Sequence, residues 1–355
     1  MMIRHLELFA GIGGFRQALE LLAYDFGLGQ STVGFSEIDR FAVQSYRSVY
    51  DTKDEMEIGD IVSFCADESN IRGLPDFDLL TAGFPCQPFS MMGEQKGFAD
   101  ERGTLFFQVA SILRIKRPRY VLLENVRNLK NHDNKKTLER IVCELKACGY
   151  PTVLYDVFDT EDFGLAQKRN RIFIFASTDR YPDLIFTHSE VRKVFENIAY
   201  KSVCIQKNIH EILEKHADEK YFLSDRFKPT ILADGSKNFH SHSDINQMIA
   251  RPLTATMTKM HRACQDNYFS EGFILSEEPE KYLEMEFSKE ELASQRIRKI
   301  TPSEALALQG WSKGYLDRIL HSGNSDYQLY RQAGNSISVN VAYAIMHYLF
   351  IHKGV

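Results

Sequence analysis

The 355-residue chain has no apolar run near the roughly 20 residues needed to span a bilayer. Its N-terminus, Met-Met-Ile-Arg-His-Leu-Glu-Leu-Phe-Ala-Gly, lacks a long apolar segment with a small-residue cleavage site. Neither a membrane span nor a signal peptide is expected. Cysteine is sparse: six residues at 65, 86, 143, 148, 204 and 264, with no Cys-x-x-Cys pair. That spacing indicates neither a zinc site nor a disulfide framework, so no metal is expected, and a reducing compartment fits. Internal repeats and low-complexity tracts are absent. A positive charge balance is missing too. The net charge of −5, taken alone, argues against a nucleic-acid partner.

What is present is ordinary in amount and uneven in placement. Hydrophobic residues make up 44% and charged residues 26%, as in globular proteins. Residues 111–146 hold ten Lys or Arg against four acids, and residues 220–264 hold seven against three, with three histidines. Residues 265–295 then hold nine acids against two lysines. Such segregation permits a basic cleft on an acidic body, although charge runs are also ordinary solvated faces.

Apolar strand-like runs alternate with helical patterns through the first half. Strands are expected at Ile3–Phe9, Thr32–Ser36, Leu79–Ala82, Tyr120–Glu124, Val153–Val157 and Arg171–Ala176. Helices are expected at Phe15–Tyr24, Thr104–Lys116 and Thr137–Cys148. This rhythm predicts an α/β fold with a doubly wound, mostly parallel sheet. It breaks after about residue 185, and residues 187–295 read as a smaller, irregular domain. The pattern returns with helices at Thr301–Leu308 and Val339–Phe350. Thr301-Pro302-Ser303-Glu304 combines an N-cap, a proline at the first helical position and Glu three residues on, a capping-box signal.

Three features carry chemistry. Leu8-Phe9-Ala10-Gly11-Ile12-Gly13-Gly14-Phe15 joins a strand to a helix, where backbone amides can approach a ligand. A tight turn alone would use the same glycines. Glu37, at the end of the second strand, is placed to bind ribose hydroxyls, and Asp60 to accept from an adenine amine. Either acid could instead be a solvated loop carboxylate. Cys86 sits in Gly83-Phe84-Pro85-Cys86-Gln87-Pro88-Phe89-Ser90, directly after the apolar run ending at Ala82. Prolines on both sides stop strand and helix alike, so a thiol is held on a stiff loop at a strand end. A lone cysteine is more often a buried structural residue, and this frame argues against that role.

Pro85-Cys86-Gln87 with Glu124-Asn125-Val126 downstream resembles the catalytic signature of cytosine-5 DNA methyltransferases of the bacterial restriction–modification type. Further blocks occur in the family's order: the glycine loop, Arg102-Gly103-Thr104-Leu105-Phe106-Phe107, Gln167-Lys168-Arg169-Asn170-Arg171, Gln309-Gly310-Trp311 and Gly334-Asn335-Ser336-Ile337. Mild departures are Glu7 where Asp is common, Ile38 where an aromatic is frequent, and Trp311 where Phe is usual. The resemblance implies a Rossmann-like methyltransferase fold. It implies a catalytic domain of residues 1–186 and 296–355 that binds S-adenosylmethionine and releases S-adenosylhomocysteine, and a target-recognition domain of residues 187–295.

By that resemblance the cofactor pocket is formed by Phe9, Ala10, Gly11, Gly13, Gly14, Phe15, Glu37, Ile38, Asp60, Ile61, Pro85, Leu105, Asn335, Ser336 and Ile337. Cys86 is the nucleophile that adds to carbon 6 of cytosine and makes carbon 5 reactive. Glu124 contacts ring nitrogen 3, burial raising its pKa so that a proton stays available, although a strand-end helix cap is its alternative role. Arg171 contacts the cytosine carbonyl, and Arg169 orders the loop and the thiol. On a strand-like segment these two arginines would share a face. Gln87 and Ser90 contact DNA on the catalytic loop. The base must be flipped out of the duplex. Arg251-Pro252-Leu253-Thr254 resembles the start of the recognition element. Arg251, Thr254, Lys259, His261, Arg262, Gln265 and Asn267 then offer side chains for base edges.

The expected partner is double-stranded DNA, with a restriction endonuclease as a functional rather than physical partner. A monomer in the bacterial cytoplasm, associated with the nucleoid, is expected. Competing readings are a tRNA cytosine-5 methyltransferase, a catalytically silent DNA-binding module and a nicotinamide dehydrogenase. The tRNA branch carries a Cys-Phe-Thr signature and a short recognition region, and this chain has neither. Cys86, Glu124 and Arg171 argue against a silent module. The Gly-x-Gly-Gly spacing disfavours the dehydrogenase.

Overall fold

The computed structural model describes residues 2–85, 105–199, 201–235 and 241–355. They fall into two compact units. The first comprises residues 1–159, 170–203 and 337–355, and the second residues 160–169 and 204–336.

The first unit is built on a seven-stranded sheet in the order β3-β2-β1-β4-β5-β7-β6. Its strands and helices follow in sequence as β1 (Met2–Leu8), α1 (Gly14–Phe26), β2 (Gly29–Ser36), α2 (Arg40–Val49), β3 (Met56–Glu57), α3 (Ile61–Cys65), α4 (Glu68–Gly73) and β4 (Leu79–Gly83). They continue as α5 (Leu105–Lys116), β5 (Tyr120–Val126), α6 (Lys136–Ala147), β6 (Thr152–Asp159), β7 (Asn170–Ser177) and α7 (His188–Glu196). Strands β1 to β5 pair in parallel, whereas β7 runs antiparallel to both β5 and β6. A mostly parallel sheet is therefore observed, as the alternation predicts. Continuous apolar runs such as Leu79–Ala82 and Tyr120–Leu123 are fully buried, as strands covered on both faces must be. One face packs on Phe106, Val109, Leu113, Leu138, Ile141 and Leu145 of α5 and α6. Against the other lie α1 and the C-terminal helix Val339–Met346, which ends in a π-helical turn, His347–His352. The sequence reading, which ran this helix to Phe350, misses that change of winding.

The second unit holds short elements: α8 (Lys228–Leu232), β8 (Tyr268–Ser270), α9 (Glu271–Leu275), α10 (Pro279–Leu283), α11 (Lys289–Ser294) and β9 (Ile297–Lys299). Three more helices follow, α12 (Pro302–Ala307), α13 (Lys313–Leu320) and α14 (Asp326–Asn335). The capping box at Thr301 is formed. Thr301 Oγ1 accepts from Glu304 N at 3.2 Å, and Glu304 Oε2 accepts from Thr301 N at 2.7 Å. Glu304 also pairs with Arg298 at 2.6 Å, both side chains fully buried, and accepts from Glu214 N at 2.7 Å.

These bonds tie α12 to residues 204–299. They explain why the compact units divide the chain elsewhere than 186/187 and 295/296, where the sequence rhythm changes. Helix α7 groups with the sheet, and α12–α14 group with the irregular segment. Among the described residues, no helix is long and apolar enough to cross a membrane.

Within the second unit, Gly334 on α14 has no room for a side chain. A Cβ there would lie 2.3 Å from Thr254 C and 2.4 Å from Ala255 N, both backbone atoms. Gly334→Ala must push the 254–255 backbone away. Overpacking of this kind costs about 1–3 kcal/mol, and thermal unfolding should show a lowered midpoint. A midpoint equal to the wild type would mean that this contact is not rigid.

Candidate functional site

The turn after β1 is sharply bent. Phe9, Gly11 and Gly13 have φ of 53°, 56° and 89°. Ala10 N donates to Ser36 O at 2.9 Å, and Gly13 N donates back to Ala10 O at 2.8 Å. Gly13 is required twice over: its φ is left-handed, and a Cβ would lie 2.5 Å from the Tyr50 ring. Tyr50 Oη donates to Gly13 O at 2.9 Å. Helix α1 therefore starts without a side-chain N-cap from Gly13, with its first-turn N–H groups beside the loop. Two of these amides, Phe15 N and Arg16 N, donate to Glu7 Oε1 at 3.2 and 3.4 Å.

Glu37, just past β2, faces this loop. Its Oε2 accepts from Gly11 N at 2.9 Å, and its Oε1 accepts from Ile38 N and Asp39 N at 2.8 Å each. Ile38 is 76% exposed, an unusual position for an aliphatic side chain beside a strand end. Asp60 caps α3, accepting from Val62 N at 3.0 Å and Ser63 Oγ at 2.8 Å. These bonds hold its carboxyl below the usual carboxylate range, and an ionised carboxylate keeps further lone pairs for a ligand. Phe15 and Ile61 have their side chains in the core, 1% and 2% exposed. Ile337 packs against the same turn, since a Cβ on Gly14 would lie 2.8 Å from Ile337 Cβ. Asn335, which is exposed, and Ser336, whose Oγ accepts from Trp311 Nε1 at 3.2 Å, belong to the second unit.

The ends of β4 and β5 lie side by side in parallel register, Gly83 opposite Glu124. Glu124 Oε1 is 3.1 Å from Arg171 Nε, with the two side chains only 11% and 20% exposed. The other oxygen, Oε2, sits over Gly83: a Cβ there would lie 3.6 Å away. Asn125 turns inward and is 2% exposed. Its Nδ2 donates to Phe84 O at 2.8 Å, and its Oδ1 accepts from Val126 N at 2.8 Å. Asn125 thus pins the chain as it leaves β4 toward Pro85. Cys86, Gln87 and Ser90 lie outside the described residues, as do Arg102–Thr104. Leu105, half-buried, opens α5.

Arg169 is placed differently from Arg171. Strand β7 begins at Asn170, so the strand alternation does not reach Arg169. Its guanidinium is buried in the second unit, where Nη1 donates to Leu253 O at 2.8 Å and Nη2 to Gly334 O at 2.9 Å. Within the first unit, the structure brings Arg171 to Glu124.

The residues expected to read DNA all lie in the second unit. Lys259, Thr254 and Gln265 are exposed. Three others are partly committed to the fold. Arg251 Nη1 donates to Asp244 O at 3.1 Å, Arg262 Nη1 to Asp234 O at 3.1 Å, and His261 Nδ1 lies 3.1 Å from Asp266 Oδ2. Asn267 is buried and clamps the Arg251 backbone, accepting from its N at 2.8 Å and donating to its O at 3.1 Å. It supports the loop and has no free edge for a base.

Sequence reasoning missed two residues of the site. Asn125 is visible only as part of a motif. Glu7 is visible only as a departure from a family pattern, although a charge between Leu6 and Leu8 in a buried parallel strand is itself a signal.

A model of C-5 cytosine-specific DNA methylases matches residues 3–350. The Type II methyltransferase M.NlaX of Neisseria lactamica is 35% identical over 97% of this chain and 95% of its own. The Type II methyltransferase M.DsaV of Dactylococcopsis salina is 35% identical over 97% of this chain and 84% of its own. The crystal structure of the S. pombe Dnmt2 methyltransferase superposes over the whole of both chains with a TM-score of 0.74 at 19% identity. At that identity the likeness shows the fold alone.

Asn125→Ala should leave the Phe84 carbonyl buried without its donor. Loss of such a partner costs about 1–3 kcal/mol. A lower midpoint in denaturant at unchanged slope is the expected outcome, and an unaltered midpoint would show that Asn125 does not hold this turn.

Proposed function

Because this chain belongs to the C-5 cytosine-specific DNA methylase family and is a DNA cytosine-5 methyltransferase, we propose that it methylates a flipped-out cytosine at a specific duplex sequence, using S-adenosylmethionine and a covalent Cys86 adduct. The observation that carries this reading is the convergence of three strand ends within one unit. The glycine loop follows β1, Gly83-Phe84-Pro85 follows β4 on the way to Cys86, and Glu124 with Arg171 closes β5. Ligands and chemistry gather at such strand ends in open α/β sheets.

The loop residues fit the cofactor. Left-handed Gly11 and Gly13, the Glu37 carboxylate and exposed Ile38 supply close backbone approach, a ribose acceptor and an apolar plate for adenine. Phe9, Ala10, Gly14, Asp60, Pro85 and Leu105 complete the proposed contacts within the first unit. When bound, S-adenosylmethionine supplies the methyl group as an electrophilic sulfonium.

Carbon 5 of cytosine is too weak a nucleophile to take that methyl directly. Addition of the Cys86 thiolate to carbon 6 breaks the 5,6 double bond and places an electron pair at carbon 5. Charge builds on the ring during addition, and a proton or hydrogen bond at nitrogen 3 stabilises it. Glu124 takes that role, oriented by Arg171, whose guanidinium also reaches the ring carbonyl. After methyl transfer, the carbon 5 proton leaves to a base and the thiolate is expelled, restoring Cys86 and giving 5-methylcytosine. Arg169 fixes the Leu253 and Gly334 backbones within the second unit.

The second unit reads the sequence through the recognition segment that begins at Arg251, with Lys259, Gln265 and Thr254 the side chains least committed to the fold. Two relatives are named Type II methyltransferases. A restriction nuclease of the same specificity is accordingly proposed as the functional partner, with the methyltransferase acting as a monomer.

Duplex DNA carrying 5-fluorocytosine at the target tests the covalent step, because fluorine cannot leave carbon 5 as a proton does. With S-adenosylmethionine the wild-type protein should form a denaturation-resistant adduct, and Cys86→Ser should abolish it. An adduct that persists in Cys86→Ser and disappears on replacing another cysteine would overturn the assignment.

A further inference from the structure

Beneath the glycine loop lies a buried polar cluster that the methyl-transfer chemistry does not use. Glu7 is 1% exposed at its centre. Its Oε1 accepts from Phe15 N at 3.2 Å and Arg16 N at 3.4 Å, the first-turn amides of α1, and its Oε2 lies 3.3 Å from Tyr46 Oη. Since Gly13 offers no side chain to cap α1, Glu7 supplies that cap from β1. Arg16 spans the cluster. Its Nη1 donates to Tyr46 Oη at 3.2 Å and Glu55 Oε2 at 2.9 Å, its Nε donates to Glu20 Oε1 at 3.0 Å, and its guanidinium lies 4.1 Å from the centre of the Tyr50 ring. Tyr50 in turn holds the Gly13 carbonyl. The loop is therefore suspended from Glu7 on one side and Tyr50 on the other.

We propose that Glu7 is a positioning residue for the cofactor: its buried carboxyl holds the Gly11–Phe15 loop, and cofactor affinity follows the state of that carboxyl as pH changes. The proposal rests on the reading of this loop as the S-adenosylmethionine site.

The charge balance around Glu7 shows why its state matters. One cation, Arg16, already serves two carboxylates, Glu20 and Glu55. Ionised Glu7 would be a third carboxylate with no cation of its own, in a place water does not reach. The remaining groups facing it give no relief. His5 on β1 is buried, bonds Thr81 Oγ1 of β4 at 2.7 Å and is neutral, its pKa pushed down to about 3 by burial. Tyr46 on α2 and Tyr50 just past it are held protonated by burial. Asp51, near Glu55, only adds negative charge. Burial accordingly raises the Glu7 pKa to about 8, against the pull of Arg16 and the two amides.

A carboxyl whose folded pKa is raised keeps its proton in the folded state where the unfolded chain releases it, so its contribution falls as pH rises from about 4.5 to about 8. The protonated form accepts both amides and fits the cluster. The ionised form drives the cluster to open, and the loop loosens with it.

Binding of S-adenosylhomocysteine by calorimetry, followed from pH 6.5 to 9.5 for the wild type and Glu7→Gln, tests this. The amide mimics the protonated acid at every pH, and the ratio of the two dissociation constants cancels the titration of the ligand's own amino group. The wild-type constant should rise relative to Glu7→Gln by up to about tenfold per pH unit above a midpoint near 8, as one linked proton requires. A ratio flat across the range would overturn the proposal. Tyr46→Phe serves as a second variant, including where Glu7→Gln fails to fold. It removes the hydroxyl that steadies ionised Glu7, so the midpoint should move up by about half a unit or more, and an unmoved midpoint contradicts the proposal. If the wild type binds no S-adenosylhomocysteine at any pH, the cofactor reading itself falls, and this inference with it. Binding that is present but flat in ratio sinks the inference alone.

Discussion

Strand β7 runs against its neighbours, and the site depends on that reversal. Antiparallel pairing sets Arg171, at the beginning of β7, opposite Val126 at the end of β5. The guanidinium then reaches Glu124, one turn of the pleat back, at 3.1 Å. A parallel β7 of the same eight residues would carry Arg171 to the far edge of the sheet, roughly 20 Å away at about 3.3 Å per residue. Glu124 would then stand at the strand ends without a guanidinium to orient it. The same edge holds the turn after β4, fixed by Asn125, and the glycine loop after β1. The Glu124 carboxyl, the chain leaving β4 and the glycine loop are thus placed by sheet topology, and side chains only refine their positions.

The two units solve the burial of polar groups in different ways. In the first, backbone bonding is consumed by the sheet, and the buried charges gather in one cluster under the glycine loop. In the second, the elements are short, and many backbone carbonyls lie in irregular chain that must still be satisfied. Long polar side chains do this work. Arg169 binds the Leu253 and Gly334 carbonyls, Gln167 donates to Leu308 O, Gln206 to Ala307 O and Gln309 to Ala333 O. Arg169, which the motif assigns to ordering the loop and the thiol, is one of these internal fastenings of the second unit.

The strands and the α12 cap were legible because period-two burial, continuous apolar runs and capping chemistry are local. Tyr120–Glu124 and Arg171–Ala176 each lie inside an observed strand. The direction of β7 was not legible: an apolar run reads alike in either sense, and only pairing decides it. The face shared by Arg169 and Arg171 failed because the strand starts one residue too late to include Arg169. Helix α2, capped by Asp39, was not legible because its buried face, Ala42, Val43, Ser45, Tyr46 and Val49, mixes small and polar residues. Likewise α12–α14 read as a return to the sheet, whereas a buried Arg298–Glu304 pair draws them to the second unit. Glu37 was placed correctly beside the glycine loop because the end of a second strand is a fixed location in this topology.

The central claim is that Glu124, oriented by Arg171 beside the chain leading to Cys86, serves methylation of carbon 5 in DNA. Bisulfite sequencing of plasmid and of tRNA from cells expressing either the wild type or Glu124→Gln addresses it most directly. In the wild-type plasmid, cytosines should be protected at one position of a recurring short duplex sequence, tRNA should stay unprotected, and Glu124→Gln should lose plasmid protection. A wild type that leaves plasmid cytosines unprotected or protects tRNA instead, or a Glu124→Gln variant that methylates as well as the wild type, would contradict it.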